Sequence, residues 1–352
     1  MLVSHRYRGK KARGGGVRSE KTSVPPGGDL SGSGLGGALQ VTVVIPVYNA
    51  RDYLEQAVGS ALGQNQTERV ILVEDGSRDG SLAVCKRLES RHRRVLLLRH
   101  PDGGNHGAGA SRNLGIAKAE SPFVAFLDAD DYYLEGRFGV AESLFAEDRG
   151  IDGVYEAIAV RFDDSESARR WRSQGFEELT TLKREVPPEE LCDLLIACDS
   201  GSFHLNGLVV RRKAFDRSGS FFESLRLHQD TAMTIQLAQF CRLVPGRLDE
   251  PVAVRRVHPG NRYLSGYNPY RTGLKLWNTL FHWAREREVA GSRLASLFLN
   301  CQYHRYRLAL GSHRGDSPST AQGLSLLLQA IAHPMLASKA WRQRKKRRFR
   351  AG

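Results

Sequence analysis

Three aspartates stand within four residues at one point of the chain, directly after an apolar run. They are Asp128, Asp130 and Asp131, and the run before them is FVAFL. Carboxylates held this close in a partly buried crevice repel one another, and a divalent cation would offset that repulsion. Hard oxygen ligands suit Mg²⁺ or Mn²⁺. The cluster therefore predicts a metal site, and the alternative is a solvated turn in which an aspartate caps a helix.

Polar side chains also follow other apolar runs in the first half of the chain. Asp75, in VEDGSRDGS, could accept a hydrogen bond from a base N–H, or it could simply form a turn. Tyr48 could stack on a base, although a tyrosine at a strand end can also be a packing residue. Arg112 offers a planar fork of N–H groups that suits a diphosphate or a base oxygen. Together these residues indicate a nucleotide site.

Strands and helices must position these groups. Four apolar runs are typical of buried parallel strands: 41–48, 70–75, 95–99 and 123–128. Between them lie segments with apolar residues at helical spacing: 52–62, 82–88 and 108–119. This alternation predicts a doubly wound α/β sheet. Ligands of such sheets bind at the carboxyl ends of the strands, so we expect the polar groups to line one cleft.

Four motifs in this part of the chain carry a family resemblance. VTVVIPVYNARDYL, VILVEDGSRDGS, NHGAGASRNLGIA and FVAFLDADDYY together resemble the donor half of family 2 glycosyltransferases of GT-A fold, over residues 41–135. The resemblance implies a mixed GT-A sheet and a sugar-nucleotide donor, commonly UDP-linked. It also implies a set of donor-binding residues: Pro46, Tyr48, Asp75, Asn105, Arg112, Asp128 and Asp130. Asp128 and Asp130 match the family's Asp-x-Asp motif, in which Asp130 is the expected metal ligand.

The second half of the chain matches the family at two further points. LHQDTAMTIQLA resembles the segment in which an acidic pair opens a helix, and the second acid is the general base of inverting members. Asp230 occupies that position and would take the proton of the acceptor hydroxyl. The alternative is that Asp230 only caps the helix. Gln229 replaces the usual first acid, which leaves a catalytically inactive relative as a further alternative.

The other match is VRRVHPGNR, which resembles the family's late strand ending in histidine. The resemblance implies that His258 completes a metal shell with Asp130 and Asp131. It also implies that Arg256, or its neighbour Arg255, faces the diphosphate. The alternative for His258 is an ordinary surface position.

The resemblance divides the chain into a domain with flanking segments. Residues 41–260 form the predicted GT-A domain, with a donor half at 41–135 and an acceptor half at 136–260. Within the acceptor half we predict a strand at 154–160, a polar loop at 161–182 and a strand at 251–257. Helices are predicted at 188–197 and 229–240. Residues 261–336 are predicted to be a helical extension.

The net charge of +14 lies mostly in the two ends of the chain, so the body between them is nearly neutral. Residues 1–40 are basic, rich in Gly and Ser, and predicted to be disordered. The basic tail at 337–352 predicts peripheral binding to the anionic inner face of a membrane, where lipid-linked acceptors would lie. The alternative is a solvated tail. A neutral body argues against nucleic acid as a partner.

Cellular location is predicted from what the sequence contains. The N-terminus is basic without an apolar segment typical of a secretory signal, and no apolar run approaches the length of a spanning helix. Five cysteines occur without a CxxC pair, which predicts reduced thiols in the cytoplasm.

We therefore predict an inverting glycosyltransferase that uses a nucleotide-sugar donor, with UDP expected, and a hydroxyl of a saccharide, lipid-linked or protein acceptor. Mn²⁺ or Mg²⁺ would offset charge on the leaving diphosphate. A nucleotidyltransferase is one rival, but its usual glycine-rich basic loop is replaced by PVYNARD after the first strand. A non-catalytic protein that binds nucleic acid or membrane through its tails is another, and it leaves the acidic cleft unexplained.

Overall fold

The structure, a computed structural model, describes residues 38–309 apart from 174, 199 and 262–267. The strands are β1 (Val41–Val47), β2 (Thr67–Glu74), β3 (Val95–Arg99), β4 (Phe123–Phe126), β5 (Tyr132–Tyr133), β6 (Gly153–Tyr155), β7 (Ile158–Phe162), β8 (Leu179–Thr180), β9 (Leu208–Arg211), β10 (Leu243–Pro245) and β11 (Ala253–Val257). The helices are α1 (Leu54–Leu62), α2 (Ser81–Arg91), α3 (Ala108–Lys118), α4 (Gly139–Glu147), α5 (Ser165–Ser173), α6 (Pro188–Ala197), α7 (Ala214–Ser218), α8 (Gln229–Phe240), α9 (Pro269–Glu286) and α10 (Gly291–Ala309).

The strands form two sheets. The larger has seven strands in the order β10-β6-β9-β4-β1-β2-β3. β1 pairs in parallel with both β2 and β4, whereas β9 runs antiparallel to β4 and to β6. The smaller sheet has the order β5-β11-β7-β8. The predicted α/β class with a mixed sheet is confirmed.

Helices cover both faces of the larger sheet because its central strands are apolar on both sides. Val43 and Ile45 of β1 belong to a core formed with α1, α2 and α4. Val44 points the opposite way, into a core formed with α3, α6 and α8. Helix α3 approaches β1 so closely that a Cβ at Gly115 would lie 2.3 Å from Val44 Cγ1. This contact brings the start of α3, with Arg112 one turn further on, to the carboxyl end of β1.

The predicted helices at 188–197 and 229–240 are confirmed at both ends. Part of the predicted extension is also helical, and α9 packs through Trp277 and Trp283 into the same core as α8. Residues 310–352 lie outside the described chain, as do residues 1–37 of the predicted N-terminal tail. Leu39 is buried, so ordered packing begins before residue 41. No helix in the described part of the chain is long and apolar enough to cross a membrane.

Two predictions for the acceptor half are wrong. The run 154–160 is not one strand, because β6 joins the larger sheet and β7 joins the smaller one. Between them the fully buried Glu156 binds Arg137, and its backbone N–H donates to Gly207 O. The predicted loop at 161–182 instead contains α5 and β8. Trp171 of α5 is buried and packs near Phe162, a tertiary contact that makes a mostly polar segment helical.

The Glu156–Arg137 pair gives a stability prediction. Both side chains are fully buried, and Arg137 Nη1 lies 2.8 Å from Glu156 Oε2. Replacing Glu156 with Gln should lower the free energy of unfolding by about 3–5 kcal/mol, since a buried arginine loses its counter-ion. Urea unfolding would measure this. Glu166→Gln, which removes the exposed pair with Arg170, is the matched control and should unfold like wild type. Equal stability of Glu156→Gln and wild type would contradict the prediction.

Candidate active site

A cleft of about 500 Å³ opens at the carboxyl ends of β1, β2 and β4 and extends to the start of α8. All the residues predicted for the site line it: Pro46, Tyr48, Asp75, Asn105, Arg112, Asp128, Asp130, Asp131, Asp230, Arg256 and His258. They come from both halves of the chain. The fold therefore brings all the predicted site residues into one cleft. Their hydrogen bonds and ion pairs differ, and these contacts indicate which role each residue can have.

Asp75 and Asn105 are bound to each other at one end of the cleft. Asp75 is buried, and Asn105 Nδ2 donates to its Oδ2 at 2.9 Å. The same carboxylate accepts the backbone N–H groups of His106 at 2.6 Å and Gly107 at 2.9 Å. These bonds hold the loop before α3 against the end of β2. Asp75 therefore shapes the wall of the cleft as well as lining it.

Arg112 is a buried cation with unused donors. Its side chain is 4% exposed, and Nη2 donates to Asp128 Oδ1 at 2.6 Å. The ring of Phe221 lies 5.5 Å from the guanidinium carbon. Among the described residues, Nε and Nη1 have no hydrogen-bond partner. Buried donors without partners are costly, so this group suits a ligand with anionic oxygens.

Asp128 is held by positive charge on one side. Burial alone would raise the pKa of Asp128, but the Arg112 guanidinium, through its charge and its hydrogen bond, holds the pKa below its ordinary value. The backbone N–H of Asp128 donates to Asn206 Oδ1 at 3.1 Å. Asp128 is therefore an anchored acceptor at the floor of the cleft.

Asp130 and His258 converge from different sheets. His258 Nε2 lies 3.2 Å from Asp130 Oδ2, and Asn261 Nδ2 donates to the same oxygen at 3.2 Å. The ring of Tyr53 packs on His258 with a centroid separation of 4.9 Å. These contacts place a nitrogen and an oxygen, both able to bind a cation, side by side in the cleft.

Asp131 points into the protein instead. Its side chain is 3% exposed, Oδ2 accepts from Asn206 Nδ2 at 2.6 Å and Oδ1 accepts the Arg256 N–H at 2.8 Å. Burial raises the pKa of Asp131 well above its usual value, and the neighbouring carboxylates of Asp130 and Asp128 raise it further. Both oxygens already have protein donors, so the geometry favours Asp130 over Asp131 as a cation ligand.

The side chain of Arg256 is also engaged by the protein. Its guanidinium carbon lies 5.2 Å from the Tyr53 ring and 5.3 Å from the Tyr132 ring, and Nη2 donates to Gln56. Arg255 lies 5.2 Å from the Trp171 ring. Both arginines line the cleft, but the contacts of Arg256 tie it to α1 and β5. Its backbone N–H, which holds Asp131, is its clearest link to the acidic turn.

Asp230 lies in the first turn of α8, at the far side of the cleft. Its Oδ1 accepts the backbone N–H of Thr231 at 2.8 Å. The helix begins after His228, whose positive φ of 64° turns the chain sharply into it. The N-cap of α8 is His228, so Asp230 is not the cap of the helix; it lies in the first turn and lines the cleft.

Some polar residues of the cleft were not predicted from the sequence, and His204 and Arg226 are two of them. Arg226 Nη1 donates to Asn105 Oδ1 at 2.8 Å and Nη2 donates to Asn105 O at 3.2 Å. This bridge joins the segment before α8 to the loop before α3. The nearness of Arg226 to Asp230 in sequence was a signal, but its partner lies 121 residues away.

The cleft fits a metal ion only if other donors complete its shell. In the described ranges, no group of three or more His, Cys, Asp or Glu side chains is arranged to hold an ion alone. Asp130 and His258 supply one oxygen and one nitrogen. Mg²⁺ typically takes one or two protein ligands and keeps several positions for water and phosphate oxygens. The two side chains present are compatible with that mode of binding.

Solved structures share this arrangement of sheets and helices. S. aureus TarS 1–349 in complex with UDP-GlcNAc aligns with a TM-score of 0.56 at 19% identity, over 85% of this chain and 79% of that chain. The complex of the same protein with UDP aligns with a TM-score of 0.53 at 18% identity, over 76% and 71%. The fold is that of the GT-A-type transferases.

The chain belongs to glycosyl transferase family 2, whose model matches residues 42–219. The succinoglycan biosynthesis protein ExoU of Rhizobium meliloti is 30% identical over 201 residues, which are 54% of each chain. The putative teichuronic acid biosynthesis glycosyltransferase TuaG of Bacillus subtilis is 38% identical over 92 residues, 26% of this chain and 36% of that protein. The matched region spans about half of ExoU and about a third of TuaG. The resemblance noted in the sequence is confirmed.

Proposed function

We propose that this protein transfers a sugar from a nucleotide-linked donor to an acceptor hydroxyl, with inversion at the anomeric carbon and UDP as the expected nucleotide. The observation that supports this most is a single cleft that joins Asp230 on α8 to Arg112, Asp128 and Asp130 near the strand ends. A direct displacement requires a general base for the acceptor and groups that stabilise the leaving diphosphate, and this cleft contains candidates for both.

The donor would lie along the ends of β1 and β2. Tyr48 is 41% exposed and is the one large hydrophobic residue classed as exposed in the described part of the chain. Its ring is therefore available for a base to stack on. Pro46 lies beside it in the cleft wall. The unpartnered N–H groups of Arg112 would bind diphosphate oxygens. The Asp75–Asn105 pair would position the loop that contacts the nucleotide.

Asp130 and His258 would hold a divalent cation, Mn²⁺ or Mg²⁺. When bound, the ion would offset the negative charge of the leaving diphosphate. We assign Asp131 the task of keeping the acidic turn in place, through Asn206 and the Arg256 N–H. Arg256 would contribute to the donor site through this amide and not through its guanidinium.

Asp230 would act as general base. The acceptor oxygen attacks the anomeric carbon and passes its proton to Asp230, while the bond from that carbon to the diphosphate oxygen breaks and its electrons leave with the diphosphate. A single displacement inverts the anomeric centre without a covalent enzyme intermediate. Thr231 N–H orients the carboxylate by occupying Oδ1.

The names of two relatives bear on the class of acceptor. ExoU is named for succinoglycan biosynthesis and TuaG for teichuronic acid biosynthesis. We propose that the acceptor here is likewise a growing saccharide, free or lipid-linked, of a cell-envelope polymer. Contact of the C-terminal basic tail with a membrane stays a prediction, because residues 337–352 lie outside the described chain.

Calorimetry with sugar nucleotides tests the donor assignment. UDP-glucose, UDP-galactose and UDP-GlcNAc would be titrated with Mn²⁺ and again with EDTA, alongside GDP-mannose and a dTDP-sugar. We expect one UDP-sugar to bind with Mn²⁺, and removal of the metal to weaken it about tenfold or more, a loss of about 1.4 kcal/mol. No metal-dependent binding of any sugar nucleotide would contradict the proposal.

Product analysis separates the rival functions. A nucleotidyltransferase would release pyrophosphate from UTP and a sugar 1-phosphate, whereas a glycosyltransferase releases UDP from a UDP-sugar. An inactive relative with Gln229 at the first position of the pair would bind the UDP-sugar and release nothing, even with acceptor saccharides present. UDP release that depends on an added acceptor is the expected result.

A further inference from the structure

His204 is a mostly buried histidine in the lining of the cleft that the mechanism above leaves without a role. It lies just before the 3₁₀ turn Leu205–Gly207, between α6 and β9 along the chain. Its side chain is 10% exposed and lines the same cleft as Asp128 and Asp230. Its position leaves one ring nitrogen able to face a bound ligand.

A backbone N–H group determines which ring nitrogen of His204 carries the proton. His204 Nδ1 accepts the N–H of Asn206 at 3.2 Å, which leaves the proton of the neutral ring on Nε2. Burial lowers the pKa of His204, which favours that neutral ring at neutral pH. Asn206 is fully buried and is itself bound to Asp131 and to the Asp128 N–H, so the ring has a rigid support.

The exposed edge of the ring faces a carboxylate across a gap. Nε2 lies 3.9 Å from Asp128 Oδ2, which is too far for a direct hydrogen bond. Asp128 Oδ1 is already bound to Arg112, so Oδ2 is the oxygen that faces His204. One oxygen atom about 2.8 Å from both Nε2 and Oδ2 would fit this separation with ordinary hydrogen-bond lengths.

The hydrogen-bonding needs of His204 Nε2–H and the Asp128 carboxylate limit the kind of oxygen that can bind between them. It must accept a hydrogen bond from Nε2–H and donate one to a carboxylate. A hydroxyl group does both, whereas a phosphate oxygen without a proton can only accept. The position lies in the cleft that the acidic turn and Asp230 also line, where a transferred sugar would be bound.

We propose that His204 and Asp128 together bind one hydroxyl group of the transferred sugar, which makes His204 a specificity-determining residue. This inference rests on the proposed function, because it needs a sugar nucleotide in the cleft. It goes further by naming the residue that recognises the sugar and the kind of group recognised.

The test compares UDP with the UDP-sugar that wild type binds best, both with Mn²⁺, by calorimetry. His204→Phe keeps a ring and removes the N–H, and we expect it to weaken the UDP-sugar about tenfold while UDP changes less than about twofold. His204→Gln retains an N–H donor near the Nε2 position and should recover at least part of the loss. His92→Phe, at an exposed histidine outside the cleft, is the matched control and should bind both ligands as wild type does.

Three results would overturn the assignment: unchanged UDP-sugar affinity in His204→Phe, an equal loss for UDP and UDP-sugar, or no recovery in His204→Gln. Wild type itself provides a test that needs no variant. Monodeoxy analogues of the same UDP-sugar should include one that binds about tenfold more weakly than the parent, and equal affinity for all of them would overturn the proposal. If wild type binds no UDP-sugar, the proposed function fails first and this inference fails with it.

Discussion

Asp230→Asn should lower kcat for sugar transfer by about 10²–10⁴-fold, the range that a positioned general base contributes. Asparagine has nearly the same shape and can still accept the Thr231 N–H through its carbonyl oxygen, so the start of α8 should be preserved. It cannot take up the acceptor proton. The Kd of the UDP-sugar should therefore stay within about twofold of wild type, since donor binding does not require the base. Rapid-quench assays and calorimetry on the same preparation would measure both quantities.

The chain offers a matched control for this variant. Asp216 is an exposed acid in the first turn of α7, as Asp230 is in the first turn of α8. Asp216→Asn should leave both kcat and Kd unchanged, because its side chain does not line the cleft. Wild-type turnover in Asp230→Asn would exclude Asp230 as the base. A parallel loss of donor affinity would instead point to a role in binding.

Asp130→Ala should remove the dependence of nucleotide binding on Mn²⁺. Asp130 and His258 lie side by side in the cleft, and alanine leaves the histidine as the sole side chain of that pair. We expect affinity for the UDP-sugar in Mn²⁺ to fall by about tenfold or more, to the value seen with EDTA. Binding measured in EDTA should be the same for variant and wild type, because the Tyr48 and Arg112 contacts are unaffected.

Asp249→Ala, an exposed acid outside the cleft, is the control and should retain full metal dependence. If Asp130→Ala binds the UDP-sugar in a fully Mn²⁺-dependent way, the cation is held elsewhere in the acidic turn. Asp131 would then need to release the Asn206 or Arg256 contact that now occupies its oxygens. The same comparison therefore tests the preference for Asp130 over Asp131.

The donor half could be predicted from short sequence patterns of apolar and polar residues. The run 41–48 is apolar because both faces of β1 are covered, so its burial can be inferred from a few consecutive residues. The ends of parallel strands meet at one edge by geometry, so Tyr48, Asp75 and Asp128 could be assigned to one cleft without coordinates. Asp230 was assigned from the resemblance of LHQDTAMTIQLA to the family segment in which an acidic pair opens a helix.

Tertiary contacts decided what the individual acids do. Asp128, Asp130 and Asp131 are indistinguishable by type, and their roles differ because Asn206, 75 residues beyond Asp131, occupies one carboxylate and not the others. The break between β6 and β7 depends likewise on Arg137, which neutralises Glu156 inside the protein.

His204 and Arg226 show the same limit. Each lies in an irregular segment: Arg226 is bound to Asn105, 121 residues away, and His204 lies near Asp128, which is also distant in sequence. Hydrophobic periodicity reports burial along one element, so it determined the strands, the main helices and the edge where ligands bind. Hydrogen bonds between separate elements leave no such periodic trace. Only the folded chain could therefore show which side chains remain free to meet a ligand.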